Sequence, residues 1–327
     1  MQSFTTLLQI FEERFGIRHF PVEPVNLYDA SQYILNLGGK RVRPVCVLMG
    51  NELFDDIAPD SFEVAAAIEL FHNFSLIHDD IMDKAPLRRG METVHTRFGE
   101  STALLAGDVM LVTAYDYINR IKPLYLQKII SLFNKTAREV CEGQQLDMDS
   151  EKMEHVSFEQ YEQMIKLKTS VLLAASLQMG AIIGGAGTGN QQHLYEFGKN
   201  LGIAFQVQDD YLDAFGDPEK FGKQPGGDII VNKKTFLMIH ALDVASGAQR
   251  ELLSSLLKTV PEDENEKAHK VERVLRVFRD CEVDKWAAAL KEKYYHEAIR
   301  HLDEIAVLSS RKKELLVLAQ YLLQRDK

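Results

Sequence analysis

Two copies of an Asp-Asp-x-x-Asp spacing constrain this chain more than any other feature. The first copy runs from Asp79 to Asp83 and ends a segment, beginning near Ser61, in which apolar residues recur at three- and four-residue steps. The second copy runs from Asp209 to Asp213 and ends a similar apolar run. On a helix, the first and last aspartates of each copy lie one turn apart on the same face.

Carboxylates at this spacing repel each other, so each cluster needs something that offsets the repulsion. A hard divalent cation such as Mg²⁺ does so, and it typically binds one or two carboxylates together with substrate phosphates. A single acidic helix face could simply be solvated, but two such clusters in apolar helices are hard to explain in that way. We therefore expect the clusters to be two walls of one cavity that holds a metal–diphosphate.

The bulk composition narrows the class of protein. The chain has 327 residues, is 46% hydrophobic and carries a net charge of −10, which argues against general nucleic-acid binding. Its three cysteines are scattered, which favours a reducing cytoplasm over a disulfide framework. We expect no signal peptide and no membrane span, because the apolar stretch at 169–183 is too short to cross a bilayer and is typical of a core helix.

Basic residues lie close to the acidic clusters along the chain. Gly38 to Pro44 places Lys40, Arg41 and Arg43 around a predicted helix start, where backbone N–H groups also favour anions. A second basic turn, Lys84 to Gly90, directly follows the first acidic cluster. The first turn alone could be an ordinary basic surface turn. At the second turn, the alternation of acid and base beside one helix end suits a magnesium-diphosphate.

The second acidic cluster is followed by a loop rich in Gly and Pro. Lysines are spaced along this loop, which predicts a mobile lid that brings Lys223 and Lys233 over bound phosphate. Upstream, Lys168, Thr169 and Ser170 form a polar break in an apolar helix, so Lys168 either snorkels or faces a polar cavity.

Other polar segments are assigned no chemistry. The run from Gly184 to Gly189 lacks the Lys-Ser/Thr of a phosphate loop and is predicted to end a helix. Glu142, Gln145 and Asp149 are interpreted as a solvated or interhelical polar stripe, and 261–266 as a solvated acidic turn. We expect His95 and Arg97 in a loop and Ser101 as a helix cap. No convincing period-2 pattern occurs, so the predicted fold is a single all-α domain over 1–327, a bundle of long helices around a central cavity.

Taken together, these motifs resemble the trans-isoprenyl diphosphate synthases of the polyprenyl synthetase family. The match rests on Gly-Gly-Lys-Arg-Val-Arg-Pro44, His-Asp-Asp-Ile-Met-Asp83, Leu-Arg-Arg-Gly90, Lys168-Thr169, Gln-Val-Gln-Asp-Asp-Tyr-Leu-Asp213 and the segment with Lys223, Asp228 and Lys233, in the family's order. The resemblance implies an all-α homodimer. It also implies a prenyltransferase that joins isopentenyl diphosphate to an allylic diphosphate with Mg²⁺ (about three ions per site, with Mn²⁺ as a substitute).

The resemblance assigns roles residue by residue. Asp79, Asp83 and Asp209 resemble the main magnesium ligands, with Asp80, Asp210 and Asp213 beside or behind them. The allylic diphosphate is assigned to Arg88, Lys168, Thr169, Gln206, Lys223 and Lys233. Isopentenyl diphosphate is assigned to Gly39, Lys40, Arg43, His72 and Arg89, although His72 could instead be a core histidine on an apolar helix.

Product length is expected to depend on the residues one and two turns before Asp79, namely Phe71, Phe74 and Ser75. A single aromatic at Phe74 beside the small Ser75 resembles synthases that stop at C20, and C15 is the nearest alternative. Three other readings stay open: a class I terpene cyclase, a phosphohydrolase built on His72, His78 and Asp79, and a non-catalytic subunit of a larger synthase.

Overall fold

The structure is a computed structural model that describes residues 1–216 and 226–323. Predicted site residue Lys223 lies outside these residues. The helices of the first half are α1 (Phe4–Phe15), α2 (Val25–Asn36), α3 (Val42–Glu52), α4 (Pro59–Met82), α5 (Val94–Phe98), α6 (Glu100–Ile118) and α7 (Pro123–Lys152). Two short strands, β1 (Leu87–Arg88) and β2 (Met91–Glu92), lie between α4 and α5.

The second half is also helical in the part that the structure describes. Its elements are α8 (Phe158–Ile165), a π-helical turn (Lys166–Ser170), α9 (Val171–Ile183), α10 (Thr188–Phe215), α11 (Gly227–Ile230), α12 (Phe236–Val244), α13 (Gly247–Leu256), α14 (Glu264–Asp280), α15 (Val283–Glu304) and α16 (Ser309–Leu323). The predicted all-α class is therefore confirmed.

Local sequence explains where several helices begin. Pro59 occupies the first turn of α4, where a missing N–H costs nothing. Ser157 and Gln160 form a capping box at the start of α8, and Asp263 caps α14 through the Glu266 N–H. The acidic turn at 261–266 thus has a helix-capping role.

The chain forms two compact units. The first consists of Met1–Thr136, Leu172–Tyr195 and Glu304–Leu315, and the second of Ala137–Val171, Glu196–Asp303 and Leu316–Lys327. In the first unit, α4 packs along α6 and against α3, and its apolar face is fully buried at Val64, Ile68 and Ile77. In the second unit, the end of α10, α12, α13 and α14 share a core that includes Leu237, Leu253 and Phe278.

Two local predictions were wrong, both between the first acidic cluster and α6. His95 and Arg97 lie in the short helix α5 instead of a loop. Ser101 is inside α6, whose cap position is Gly99 with φ +87°, a backbone conformation that favours glycine. The helix therefore begins two residues earlier than a Ser101 cap would place it.

One helical stretch, Phe158–Ile183, is long and apolar enough to cross a membrane, but 78% of its most apolar window is buried inside the protein. This burial fits the predicted core helix at 169–183.

Candidate active site

The first acidic cluster lies at the carboxyl end of α4, in the first unit. The Asp79 side chain is 20% exposed, and Asp83 is the exposed C-cap residue of α4. Asp80, in contrast, turns inward and its side chain is only 3% exposed. The three aspartates of the motif are therefore not equivalent: the outer two face outward and the middle one is buried.

Arg88 holds the buried aspartate. Its Nε lies 2.7 Å from Asp80 Oδ2 and its Nη2 lies 2.7 Å from Asp80 Oδ1, a bidentate geometry. The same guanidinium approaches Asp79 Oδ2 at 3.6 Å. Burial alone would lower the pKa of Arg88, but the bond to Asp80 and the neighbouring carboxylate charges raise it.

A tight hairpin presents this arginine. Leu87 pairs with Glu92 and Arg88 with Met91, and Arg89 and Gly90 form the two-residue turn. Both turn residues have positive φ, +55° at Arg89 and +77° at Gly90, as a type I′ turn requires. The sequence indicated a basic turn here but not the strand pairing, because two-residue strands are too short to show a period of two.

The arginine cluster, in the same unit, brings together Gly39, Arg43, His72 and Arg89. Arg43 Nη1 donates to His72 Nε2 at 3.1 Å. A Cβ added to Gly39 would lie 2.9 Å from Arg89 Nη2, so only glycine leaves room for that guanidinium. Lys40, the neighbour of Gly39, is exposed. Most of the isopentenyl diphosphate set predicted from the sequence therefore lies together.

The electrostatics of this cluster favour an anion. Burial lowers the pKa of Arg43, and partial desolvation lowers that of Arg89, which is the more exposed of the two arginines. Burial, with the charges of four arginines, lowers the pKa of His72 well below its usual range. The buried Arg43 Nε has no hydrogen-bond partner. These shifts mean that positive charge is held here at a cost that a bound anion would remove.

Arg41 is the exception among the basic residues at 40–43. It is buried, forms an ion pair with Glu69 and donates to the Leu35 carbonyl at 2.8 Å. Asn73 donates to the same Glu69 carboxylate at 2.8 Å. Arg41 therefore contributes to packing at the start of α3.

The second acidic cluster lies near the end of α10, in the second unit, and repeats the pattern of the first. Asp209 is exposed, whereas Asp210 is 3% exposed. Tyr161 Oη donates to Asp210 Oδ2 at 3.0 Å, and Gln206 Nε2 donates to Oδ1 at 2.9 Å. Burial raises the pKa of Asp210 to about 7. The middle aspartate is again the most deeply buried of the three.

Asp213 binds the backbone at the start of α11. Its Oδ2 accepts from the Asp228 N–H at 2.9 Å, and its carbonyl accepts from the Gly226 N–H at 2.5 Å. Burial and the charge of Asp228 raise the pKa of Asp213. This aspartate therefore ties the second cluster to the segment that carries Lys233.

Lys168 and Thr169 lie in the π-helical turn, which the sequence indicated only as a polar break. A widened turn of this kind is frequent at functional sites. Two glycines on other helices of the second unit make room for it: an added Cβ on Gly143 would lie 2.2 Å from Lys168 N, and one on Gly202 would lie 2.8 Å from Ser170 Cα. The Lys168 ammonium bonds Asp147 Oδ2 at 2.7 Å.

Lys233 sits among carboxylates. Its ammonium lies 3.7 Å from Asp228 Oδ1. Burial opposes protonation, but the charges of Asp228, Asp210, Asp147 and Asp209 raise the pKa of Lys233. Acidic groups predominate around Lys233, so this part of the second unit favours a bound cation. The arginine cluster of the first unit, in contrast, favours a bound anion.

The residues predicted to limit product length lie one and two turns of α4 before the first cluster. Phe71 is 1% exposed and Phe74 9%, and their ring centroids are 5.6 Å apart. The His78 ring packs edge-on to Phe74 at 4.7 Å. Ser75 is partly buried and donates to the His72 carbonyl at 2.8 Å.

Three site residues were missed from the sequence as members of the site: Tyr161, Asp147 and Asp228. Asp228 was noted only as part of the loop motif. Tyr161 and Asp147 are single polar residues on long helices, and no spacing marks them. Glu142 and Gln145, singled out with Asp149 as a solvated or interhelical polar stripe, are exposed.

Comparison with known proteins identifies the family. Residues 24–274 match the family model described as polyprenyl synthetase. The chain is 35% identical over 305 residues to a geranylgeranyl diphosphate synthase of Methanosarcina mazei, covering 93% of this chain and 91% of that protein. It is 38% identical over 242 residues to a geranylfarnesyl diphosphate synthase of Natronomonas pharaonis, covering 68% and 71%.

A crystal structure of a geranylgeranyl pyrophosphate synthase superimposes with a TM-score of 0.95 at 41% identity, covering all of both chains. The matched residues include both acidic clusters and the arginine cluster. This chain is a prenyltransferase of the polyprenyl synthetase family, a trans-isoprenyl diphosphate synthase.

Proposed function

We propose that this enzyme condenses isopentenyl diphosphate with an allylic diphosphate, with Mg²⁺, and releases a C20 prenyl diphosphate. The observation that carries the proposal is the arginine cluster of the first unit, where desolvation lowers the pKa values of Arg43 and Arg89 and burial leaves Arg43 Nε unpartnered. A diphosphate supplies the missing negative charge. A terpene cyclase, which takes a single diphosphate, has no use for this second anion site.

Mg²⁺ fits the carboxylates that are available. Among residues 1–216 and 226–323, no three acidic, histidine or cysteine side chains converge as a preformed cage. That arrangement suits Mg²⁺, which commonly takes one or two carboxylates plus substrate phosphates. We propose that Asp79 and Asp83 in the first cluster and Asp209 in the second are magnesium ligands, because they are more exposed than the buried Asp80 and Asp210. When bound, the metal neutralises charge on the leaving diphosphate.

The reaction follows from the charges of these groups. The allylic C–O bond breaks and its electron pair leaves with the diphosphate, whose growing charge Arg88, Lys168 and Lys233 stabilise. The double bond of isopentenyl diphosphate, held by Arg43, His72 and Arg89, attacks the allylic cation and forms the new C–C bond. The proton that is then lost goes to the released diphosphate. Lys40, Gly39, Thr169 and Gln206 contribute binding contacts in the same scheme, as does Lys223.

Support for C20 comes from Phe74 and from the relatives. The single bulky ring of Phe74 packs against Phe71 and His78 on the apolar face of α4 that precedes Asp79. Related proteins named geranylgeranyl synthases support a C20 product. The geranylfarnesyl synthase shows that longer products occur among relatives of similar identity. A C15 product remains the shorter alternative.

We also propose a homodimer in the cytoplasm. An exposed apolar stripe supports the dimer: Leu104, Leu105 and Val112 on α6 are 49%, 55% and 61% exposed, and Leu124 at the start of α7 is 77% exposed. Leu105 and Val112 lie two turns apart on one helical face, and Leu104 lies at the edge of that face next to the exposed Asp108. Large apolar side chains that are half exposed on one helix favour a covering partner, and we propose a second copy as that cover.

The phosphohydrolase alternative loses its support. It requires His72 and His78 as ligands beside Asp79, but His72 Nε2 accepts from Arg43 and His78 Nε2 donates to the Leu104 carbonyl at 3.1 Å. Both imidazoles are therefore engaged elsewhere.

The deciding experiment is incubation with Mg²⁺, radiolabelled isopentenyl diphosphate and each allylic starter separately, followed by chain-length analysis of dephosphorylated products. A single C20 product is expected. Incorporation into other lengths keeps the chemistry and revises the role of Phe74. Conversion of the starter alone to hydrocarbon or alcohol, with no incorporation of isopentenyl diphosphate, contradicts the proposal and favours a cyclase.

A further inference from the structure

The segment from Gly226 to Lys233 carries a substrate lysine and is held at its start by the second acidic cluster. Asp213 accepts from the Gly226 and Asp228 N–H groups. The chain then passes through α11, and the Lys233 N–H donates back to the Asp228 carbonyl at 2.9 Å. Lys233 therefore lies where the backbone of this segment places it, and the far end of the segment also needs an anchor.

Lys270 of α14 supplies that anchor. The residue is 4% exposed, and its ammonium donates to the Thr259 carbonyl at 2.8 Å, to the Ile230 carbonyl at 3.3 Å and to Asn232 Oδ1. Asn232 Nδ2 donates to the same Thr259 carbonyl at 3.1 Å. The ammonium of one buried lysine on α14 thus holds the 230–232 segment and the Thr259 carbonyl together.

The geometry of Asn232 explains why an anchor is needed. This residue has φ +63°, a left-handed conformation that asparagine tolerates better than most residues but that still costs free energy. Its side chain is fixed on both sides, by Lys270 at the oxygen and by Thr259 at the nitrogen. Lys233 is the next residue, so the direction in which its side chain leaves the backbone depends on this turn.

In these hydrogen bonds the Lys270 ammonium is stabilised by neutral acceptors and not by a carboxylate. Its three acceptors are neutral oxygens, and the Ile230 carbonyl belongs to the last turn of α11, where helix dipoles favour a cation. A buried ammonium is tolerated only when it is fully hydrogen-bonded. An apolar side chain would fill a buried packing position at a lower desolvation free energy. A lysine here therefore indicates that its hydrogen bonds to Thr259, Ile230 and Asn232 are needed.

We infer that Lys270 is a positioning residue for the transferase reaction: it acts through Asn232 to fix Lys233 against the second acidic cluster. The inference rests on the proposed function, in which Lys233 binds the allylic diphosphate. Lys270 itself touches neither substrate nor metal ligand in this scheme.

The test compares Lys270→Met and Asn232→Gly with the wild type. Asn232→Gly keeps the positive φ without strain and removes only the side-chain bonds, so it decides the question if Lys270→Met does not fold. We expect both variants to raise KM for the allylic diphosphate at least roughly tenfold while KM for isopentenyl diphosphate changes by less than about twofold. Lys267→Met is the matched control, because Lys267 lies one turn earlier on α14 and bonds Glu264 at the surface.

Hydrogen exchange of the amides at 226–234 gives a readout that does not depend on turnover. We expect Asn232→Gly and Lys270→Met to raise exchange there and Lys267→Met to leave it unchanged. Unchanged exchange, or equal loss of both substrate affinities, overturns the role of Lys270. A wild type that makes no prenyl product while its variants still raise exchange would leave the anchor in place and reject the proposed function.

Discussion

In the proposed site, each acidic cluster divides its carboxylates between two tasks. Asp80 and Asp210 are buried and held by protein donors, whereas Asp79 and Asp209 lie closer to solvent. A carboxylate that already accepts two strong hydrogen bonds has less capacity for a metal. The sequence pattern showed three aspartates at the right spacing, but it could not distinguish these tasks, because the distinction depends on Arg88 and Tyr161.

This division predicts different defects for neighbouring substitutions. Asp80→Asn leaves Arg88 without its bidentate partner, and we expect the free energy of unfolding to fall by about 2 kcal/mol. Asp79→Asn should change it by less than about 0.5 kcal/mol and instead lower kcat at fixed Mg²⁺. Urea unfolding and steady-state kinetics of the two variants measure this. Similar stability losses in both would show that the two carboxylates are equivalent after all.

The charge state of His72 predicts a pH dependence of stability. Burial and the nearby arginines lower the pKa of His72 in the folded protein, whereas an unfolded histidine titrates near 6.5. The unfolded state therefore binds a proton that the folded state does not. The stability that neutral His72 contributes is fully present above about pH 6.5 and is lost as the pH falls, by at most about 1.4 kcal/mol per pH unit.

We expect His72→Gln to flatten the decline in unfolding free energy between about pH 6.5 and pH 5.5. The control is His269→Gln, since His269 is exposed on α14. A residual slope should remain in His72→Gln, because burial also lowers the pKa values of His19 and His240. An unaltered slope would mean that His72 is not the buried neutral base described here.

Phe74 allows a test of product length. Phe74→Ala removes a ring that is 9% exposed and opens the apolar face of α4, so we expect products longer than those of the wild type. Its loss should also cost about 3 kcal/mol of stability. Phe278→Ala, which removes another buried ring in the second unit, controls for destabilisation and should leave chain length unchanged. Identical product lengths in Phe74→Ala and wild type would exclude Phe74 as the limit.

At the scale of elements, the π-helical turn depends on residues outside itself. Lys166–Ser170 widens only because Gly143 and Gly202 present no side chain to it. Gly143→Ala places a methyl group against the Lys168 backbone, and we expect a stability loss of about 1–3 kcal/mol with a raised KM for the allylic diphosphate. Gly189→Ala, with open space around its Cα, should change neither quantity. Thermal unfolding and kinetics of both variants check this.

Much of the helical framework was predictable from periodicity and helix-ending residues. The helix that ends at the first acidic cluster, the helix start near Pro44 and the helix end before Gly184 all lie where the sequence indicated. The β1–β2 hairpin and the π-helical turn were not predictable. The hairpin has too few residues to show a pattern, and the widened turn follows from contacts with α7 and α10 that no local spacing encodes.

At the scale of the whole molecule, charge is sorted rather than uniform. The chain carries −10 overall, yet the first unit concentrates Arg43, Arg88 and Arg89 while the second places Asp210, Asp213 and Asp228 together. Arginine and aspartate totals alone could not predict this. The order of the motifs along the chain could predict this separation of charge, once the family resemblance assigned two different diphosphates to the motifs.

The apolar stripe on α6 predicts how the molecule assembles. Leu105→Glu with Val112→Glu places two charges on that face, and we expect the dimer dissociation constant to rise at least about a hundredfold, equivalent to about 2.8 kcal/mol. Because both positions are exposed in the single chain, its own unfolding should change little. Analytical ultracentrifugation over a concentration series measures the assembly state, and Leu308→Glu, at an exposed apolar residue off the stripe, is the control.

The same substitution should affect the proposed metal site, because α6 contacts the end of α4 at this face. His78 donates to the Leu104 carbonyl, lies 3.8 Å from Asp108 Oδ1 and immediately precedes Asp79. We therefore expect the monomeric variant to need a higher Mg²⁺ concentration for half-maximal rate while retaining its product length, since Phe74 is unchanged. A variant that stays dimeric would exclude α6 as the interface, and a monomeric wild type would reject the homodimer. A monomeric variant with wild-type Mg²⁺ dependence would show that the contact through His78 does not couple the interface to the first acidic cluster.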